Sequence, residues 1–452
     1  MGRITLQQAA LWCGGRIDPK YKDVTFLGAN MDTRKIEEGQ LFIALKGERD
    51  GHDYIATAFE KGAAAVLCNH CDGDYPAIIV EDTRIALGDI ARGERERIGM
   101  KVVGITGSVG KSTTKEMVAT VLEGSFRTAK TPVNHNNDIG MPMAILAMPE
   151  DTEVAVLEMG MNHFREMAYL SSIAAPDLAA IVNIGTMHIE FLGSVEGIRK
   201  AKLEILEGMS KDGKLLLNGD DRMLRNLPEK PVQSLTYFGS DEGCGVRAEE
   251  IQEQDGVLSF QVVAGCHRFQ VQMDLEGLHF VPDALAAVSV ALELGVPPVR
   301  IQERLSMFHN LAGRQEIYQK NGYTIISDCY NAGPESMAAA LAVLGKKEGR
   351  RIAVLGDMLE LGDCAWAEHY RIGRIAVENA DMVFAYGPNS DRVVKGAITG
   401  GMAENRARCF DTHEDLAQSL KFAAKPGDVL LFKGSRGMHM EKSLELFLKE
   451  EK

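Results

Sequence analysis

The chain has 452 residues, 45% of them hydrophobic, and a formal net charge of −14. That length exceeds what one hydrophobic core serves and points to two to four domains, while an acidic balance without any Lys/Arg-rich block argues against nucleic acid or an anionic membrane surface as the main partner. Eight scattered cysteines and the lack of an apolar run of signal-peptide or membrane-spanning length lead to the expectation of a reducing cytoplasm and no membrane span.

From the amino terminus to about residue 95, short apolar runs alternate with helical ones. Gln40–Leu45, Ala63–Leu67 and Ala77–Val80 read as strands and Asp53–Lys61 as a helix, which makes a small α/β unit. The polar groups Asp32-Thr33-Arg34 and Lys46 to Asp53 flank one strand. With Gly47 and Gly51 admitting close backbone approach, they suit a phosphorylated ligand or a plain solvated loop equally well. Cys68-Asn69-His70-Cys71 lacks the second ligand pair that a zinc site needs, so it reads as two ordinary thiols. A helical stretch over Asp89 to Ile98 leads into the next unit.

The segment Lys101 to Glu116 is the most informative. Lys101–Thr106 reads as a buried strand and Thr113–Glu123 as a helix, which leaves Gly107-Ser108-Val109-Gly110-Lys111-Ser112 in the turn between them. Such a loop cradles phosphate: glycines let N–H groups point inward, the helix presents its positive end, Lys111 supplies a cation and Ser112 a hydroxyl for Mg²⁺. Ile105 stands where the longer P-loop spacing has glycine, so the match is to T-G-x-x-G-K-[ST].

Beyond it, Glu153–Leu157, Leu178–Val182 and Lys214–Leu217 read as strands of a largely parallel sheet covered on both faces, with ligands at the strands' carboxyl ends. Glu158, Asn183 and His188 fall at such ends, Asn134 to Asn137 precedes a helix, and Lys202 lies in a helical stretch from Val195 to Gly208. Ser112 and Glu158 together offer hard oxygen ligands for Mg²⁺ bridging phosphates. His188 and Lys202, taken singly, read as a satisfied loop histidine and a helix-surface lysine. The last part repeats the α/β rhythm, with strands at Tyr323–Ser327, Arg351–Leu355, Met382–Tyr386 and Val429–Phe432. Polar clusters follow three of them directly, which implies a cleft between domains.

The ordered motifs TGSVGKST (106–113), NHNNDIGMP (134–142), LEMGMN (157–162), NIGTMHIEFLGSVEGIRKAKLEI (183–205), Gly313-Arg314 and DCYNAGPESM (328–337) resemble those of the Mur ligase family over almost the whole chain. DTRKIEEGQLFIALKGERDGHDY near the amino terminus, GDMLELG (356–362) and KGSRGMHME (433–441) resemble the member of that family that adds D-alanyl-D-alanine. The resemblance implies three α/β domains: a UDP-precursor-binding domain over 1–98, a central ATP-binding P-loop domain with a mostly parallel sheet over 99–313, and a Rossmann-like carboxyl-terminal domain over 314–452. It also implies ATP-driven joining of D-alanyl-D-alanine to UDP-N-acetylmuramoyl-tripeptide, by a monomer.

On the same basis the catalytic set is Lys111, Glu158, His188, Lys202 and Arg314. Lys202 would be carbamylated and, with His188, would hold a second Mg²⁺ beside the one at Ser112 and Glu158. ATP would be held by Gly107 to Thr113 and by Asn137, Arg314, Asp328 and Asn331, while Thr33, Arg34, Gly47 and His52 would hold the UDP end of the precursor. Three positions depart from the family's pattern. Phe280 and Asp283 replace two asparagines, one of which contacts adenine in the family, so weaker ATP/GTP discrimination is expected. Gly333 replaces an asparagine near the nucleotide or dipeptide. The rival readings are another ligase of the superfamily, an earlier Mur step or a folylpolyglutamate synthase, and a P-loop switch that forms no bond.

Overall fold

A computed structural model describes residues 3–449, so the expected domain limits at 1 and 452 lie outside the described residues. The three domains are built on sheets whose strands alternate their side chains between two faces. In the central sheet, Val102, Ala155, Leu157, Ala179, Ile181, Leu215 and Leu217 point into one core. Their neighbours Val103, Ile105, Val154, Val156, Leu178, Ala180 and Leu216 point into another. Burial on both faces is why these strands read as unbroken apolar runs.

That sheet has nine strands in spatial order 267–273, 257–264, 246–254, 234–239, 214–218, 178–181, 101–106, 154–158 and 128–130. It is parallel from 128–130 as far as the pairing of 234–239 with 246–254, and antiparallel beyond. The four strands between residues 234 and 273 are not among the expected ones. Their signal is local: Asp255 and Gly256 both take positive φ, 51° and 82°, in the tight turn that leads into a strand of alternating burial, Val257–Ala264.

Other boundaries shift by a residue or more. Glu158 is the last residue of its strand rather than the one after it, Asp53 belongs to a 3₁₀ turn before the helix Ile55–Glu60, and the helix from Val195 ends at Leu203, followed by a 3₁₀ turn.

The amino-terminal domain has a four-stranded parallel sheet, 29–30, 41–43, 65–68 and 77–79. Leu41, Ile43, Ala65, Leu67 and Ile78 on one face enter the same core as Met141, Leu157 and Ile181 of the central domain. Between them runs the helix Thr83–Ile98, started by Asp82, whose carboxylate accepts from the N–H groups of Arg84 and Ile85, and ended by left-handed Gly99. Its residues Ala86, Leu87, Ile90 and Ala91 belong to that shared core. The carboxyl-terminal domain carries two cores of its own, one on each side of a six-stranded sheet in the order 316–320, 323–328, 429–433, 351–356, 382–386 and 407–410. Only the first pair is antiparallel.

Candidate active site

The carboxyl ends of the strands 101–106, 154–158, 178–181, 323–328 and 429–433 surround a cleft of about 950 Å³. The turn after Thr106 is a P-loop in conformation as well as in sequence. Gly110, at φ +81°, starts the helix Lys111–Leu122, and a Cβ there would lie 2.6 Å from a carboxylate oxygen of Asp283, so glycine is required on two counts. Asn183 pins the loop: its Oδ1 accepts from the N–H groups of Ser108 and Val109 at 3.0 and 2.9 Å, and its Nδ2 donates to the Val109 carbonyl at 3.0 Å.

Three expected catalytic or nucleotide-binding side chains, Ser112, Glu158 and Arg314, meet directly. Ser112 Oγ donates to Glu158 Oε2 at 2.7 Å and accepts from Arg314 Nη2 at 2.8 Å, so a side chain beyond the central sheet completes the P-loop. The Arg314 guanidinium also lies over the Tyr330 ring, 3.8 Å from its centroid. Lys111 Nζ donates to the carbonyls of Gly107 and Ser108 at 2.8 and 3.1 Å. Lost hydration pushes its ammonium below the usual lysine range, Glu158 opposes that shift, and Arg314 adds to it.

Glu158 is buried and receives two further partners that the sequence reading passed over. Asn136 Nδ2 donates to its Oε1 at 2.8 Å, and its backbone N–H donates to Thr131 Oγ1 at 2.9 Å. Asn137, the expected nucleotide contact, lines the cleft, but its Oδ1 accepts from Ile139 and Gly140 N–H at 3.2 and 2.8 Å and so starts the next helix. Asp328 and Asn331 also line the cleft, drawn together by the buried Lys433, whose Nζ is 2.5 Å from Asp328 Oδ2 and 3.1 Å from the Asn331 carbonyl. Lys433 was legible only as the opening residue of a motif after a strand.

Lys202 is not on the helix surface: it is 1% exposed and its Nζ donates to the Gly107 carbonyl at 3.0 Å, behind the loop and on the same oxygen that Lys111 uses. Burial, and secondarily the charge of Lys111, hold its amine well below the ordinary lysine range. His188 lines the cleft at a left-handed φ of 65°, with Nδ1 2.5 Å from Glu360 Oε2 of the carboxyl-terminal domain. Asp283 is buried against the P-loop helix, where it accepts from Thr114 Oγ1 at 2.8 Å, and burial pushes its carboxyl up to about 7. Phe280 and Gly333 are buried beside the same cleft region, and Gly333 packs on Met187.

Thr33, Arg34, Gly47 and His52 are absent from the lining of this cleft. Arg34 pairs with Asp32 at 2.8 Å, and both ring nitrogens of His52 are used inside the amino-terminal domain, Nδ1 at 2.5 Å from Asp50 and Nε2 accepting from Asn69 N–H at 3.0 Å. It is Gly51, rather than Gly47, whose Cβ would collide with backbone.

Among the described residues no group of three or more His, Cys, Asp and Glu side chains could by itself hold a metal ion. A single buried carboxylate beside a P-loop hydroxyl instead suits Mg²⁺, a hard cation that keeps its waters and takes its remaining oxygens from phosphates.

Models of the Mur ligase family match three stretches: the family's catalytic domain over residues 24–95, its middle domain over 105–291 and its glutamate ligase domain over 313–436. The chain is 40% identical over 437 residues to a UDP-N-acetylmuramoyl-tripeptide–D-alanyl-D-alanine ligase of Bacillus subtilis, covering 95% of this chain and 94% of that one. Its fold is similar to the crystal structure of MurF from Acinetobacter baumannii, with a TM-score of 0.91, 32% identity and full coverage of both chains. It is also similar to MurF ligase from Thermotoga maritima in complex with ADP, with a TM-score of 0.83 and 30% identity over 94% of this chain and 97% of that one.

Proposed function

Because the chain belongs to the Mur ligase family, we propose that it is the ATP-dependent ligase that joins D-alanyl-D-alanine to UDP-N-acetylmuramoyl-tripeptide, a cytoplasmic, monomeric enzyme of peptidoglycan precursor synthesis. The γ-phosphoryl group passes from ATP to an oxygen of the tripeptide's terminal carboxylate, and ADP leaves. The dipeptide amine then attacks the acyl carbon. The C–N bond forms, the C–O bond to phosphate breaks, and inorganic phosphate and a proton depart.

No side-chain nucleophile is required, so the protein contributes position and charge. Lys111 and the N–H groups of the P-loop bind the phosphates, Arg314 adds positive charge from across the cleft, and the closed domains keep water from the acyl phosphate. Mg²⁺ held by Ser112 and Glu158, and a second ion at His188, would neutralise charge on the transferred group. Thr33, Arg34, Gly47 and His52 would lie along the uridine end of the precursor, His52 by shaping its loop.

The observation that carries this reading is the contact chain from Arg314 through Ser112 to Glu158 beside Lys111. Phosphate release measured with ATP, the tripeptide precursor and D-alanyl-D-alanine tests it: release must depend on both acceptors. Turnover indifferent to every carboxylate and amine would instead identify a nucleotide switch, and turnover with another amino acid would identify a different ligase of the superfamily.

We infer further that Lys202 is carbamylated. Burial favours the neutral amine of Lys202, the form that adds to CO₂, losing a proton and becoming an anion suited to a metal site. Lys202→Ala is then expected to lose most activity, with partial rescue by acetate and none by methylamine. Rescue by methylamine alone would establish an ammonium role in place of the carbamate.

A further inference from the structure

The segment Thr186–Glu190 joins the central domain to the carboxyl-terminal one. Glu335, in the first turn of the helix Pro334–Gly345, accepts from Thr186 N–H at 3.0 Å and from its hydroxyl at 3.1 Å. This carboxylate fits against Gly185, where a Cβ would lie 2.8 Å from Cδ of Glu335. Ile189 packs against the shared core of the first two domains and against a core of the third. Between them stands His188, whose Nδ1 meets Glu360.

Both members of that pair are non-glycine residues in left-handed backbone, His188 at φ 65° and Glu360 at φ 61°. Such conformations are costly for residues with a Cβ and persist where the surroundings impose them, commonly at functional contacts. A carboxylate only accepts, so the proton of this hydrogen bond sits on Nδ1. In the neutral ring Nε2 then carries the lone pair, and it has no protein partner among the described residues.

We propose that Glu360 is a positioning residue: reaching across the domain interface, it fixes His188 in the Nδ1–H tautomer, so that Nε2 becomes a ready ligand only when the carboxyl-terminal domain is docked. Completion of the phosphate site is thereby tied to closure. Metal-bound histidines are commonly oriented in this way by a carboxylate on the other ring nitrogen, and loss of that partner weakens metal binding about 10- to 100-fold. Here the partner comes from a different domain, which converts orientation into a signal of domain position.

The test uses the whole chain with ¹⁵N-labelled histidine, in the presence of ADP. Wild type is expected to give the nitrogen shifts of an Nδ1–H ring for His188. Glu360→Ala should move the ring toward the Nε2–H tautomer and weaken Mn²⁺ binding by the factor above. Glu360→Gln, whose amide oxygen accepts the same hydrogen, should keep both the tautomer and most of the affinity. An alanine variant with unchanged tautomer and Mn²⁺ affinity overturns the proposal, as does a glutamine variant that loses both.

If the alanine variant does not fold, Glu360→Leu, which also lacks an acceptor for the Nδ1 hydrogen, takes its place with the same outcomes. The role for the metal rests on the ligase reading, whereas the tautomer does not. A wild-type chain that releases no phosphate but whose tautomer follows Glu360 would defeat only the ligase reading. Full ligation with a tautomer indifferent to Glu360 would defeat only this proposal.

Discussion

Asp283 sets the residue scale, because one atom type changes its chemistry. It is buried beside the P-loop helix and has its carboxyl pushed up to about 7 by lost hydration, a shift that the Thr114 hydrogen bond only partly opposes. The folded state therefore binds this proton more tightly than the unfolded chain does. Stability is retained at low pH and lost as pH rises from the ordinary carboxylate range through about 7.

Asp283→Asn removes that titration while keeping an acceptor for Thr114. The variant is expected to be the more stable protein at pH 8, by at most about 4 kcal/mol, with the gap narrowing by roughly half at pH 5. Melting both proteins at the two pH values checks this, and a gap that does not change with pH would count against a protonated Asp283. At Lys111 the expectation is catalytic: Lys111→Ala should lower kcat by at least about a hundredfold, with a melting temperature close to wild type. Near-normal turnover would remove the phosphate role.

At the scale of the element, the P-loop depends on a partner outside itself. Asn183, after the strand Leu178–Ile181, occupies both of its amide groups in holding Ser108 and Val109. Asn183→Ala leaves two loop N–H groups and one carbonyl without this partner, a cost of about 2 kcal/mol. Since Asn183 fixes the shape of the loop whose remaining N–H groups face the phosphates, the KM for ATP should rise as well. Denaturation midpoints and ATP titrations test the two effects separately, and a variant unchanged in both would show that the loop holds its own shape.

Seen as a whole molecule, the first two domains share one core, whereas the third closes its own cores around its own sheet. The third domain meets the others through the interface that includes Arg314 on Ser112, Glu335 on Thr186 and Glu360 on His188. Interfaces of this polar kind allow domains to move relative to each other. Limited trypsin digestion is expected to cut at Arg314, leaving an amino-terminal fragment that resists further cleavage, and Mg²⁺ with ADP should slow that cut. Loss of the amino-terminal fragment as fast as the intact chain would mean that its core is not complete without the third domain.

The sequence by itself determined the buried strands, the P-loop and the polar groups at strand ends, because burial on two faces and phosphate binding each demand residue types at fixed short spacing. Lys111, Ser112 and Glu158 were therefore legible, and the ordered motifs extended the reading to Arg314. The antiparallel strands between residues 246 and 273 were signalled only by a turn such as Asp255-Gly256. What tertiary structure alone decided is which distant groups touch. Lys202 reads as a surface lysine until the fold buries it behind Gly107, Asn136 reaches Glu158 where Asn137 starts a helix, and Glu360 finds His188 across 172 residues of chain. Such pairings follow from how sheets stack and domains dock, and that information is carried by the packing of all three domains together rather than by any local spacing.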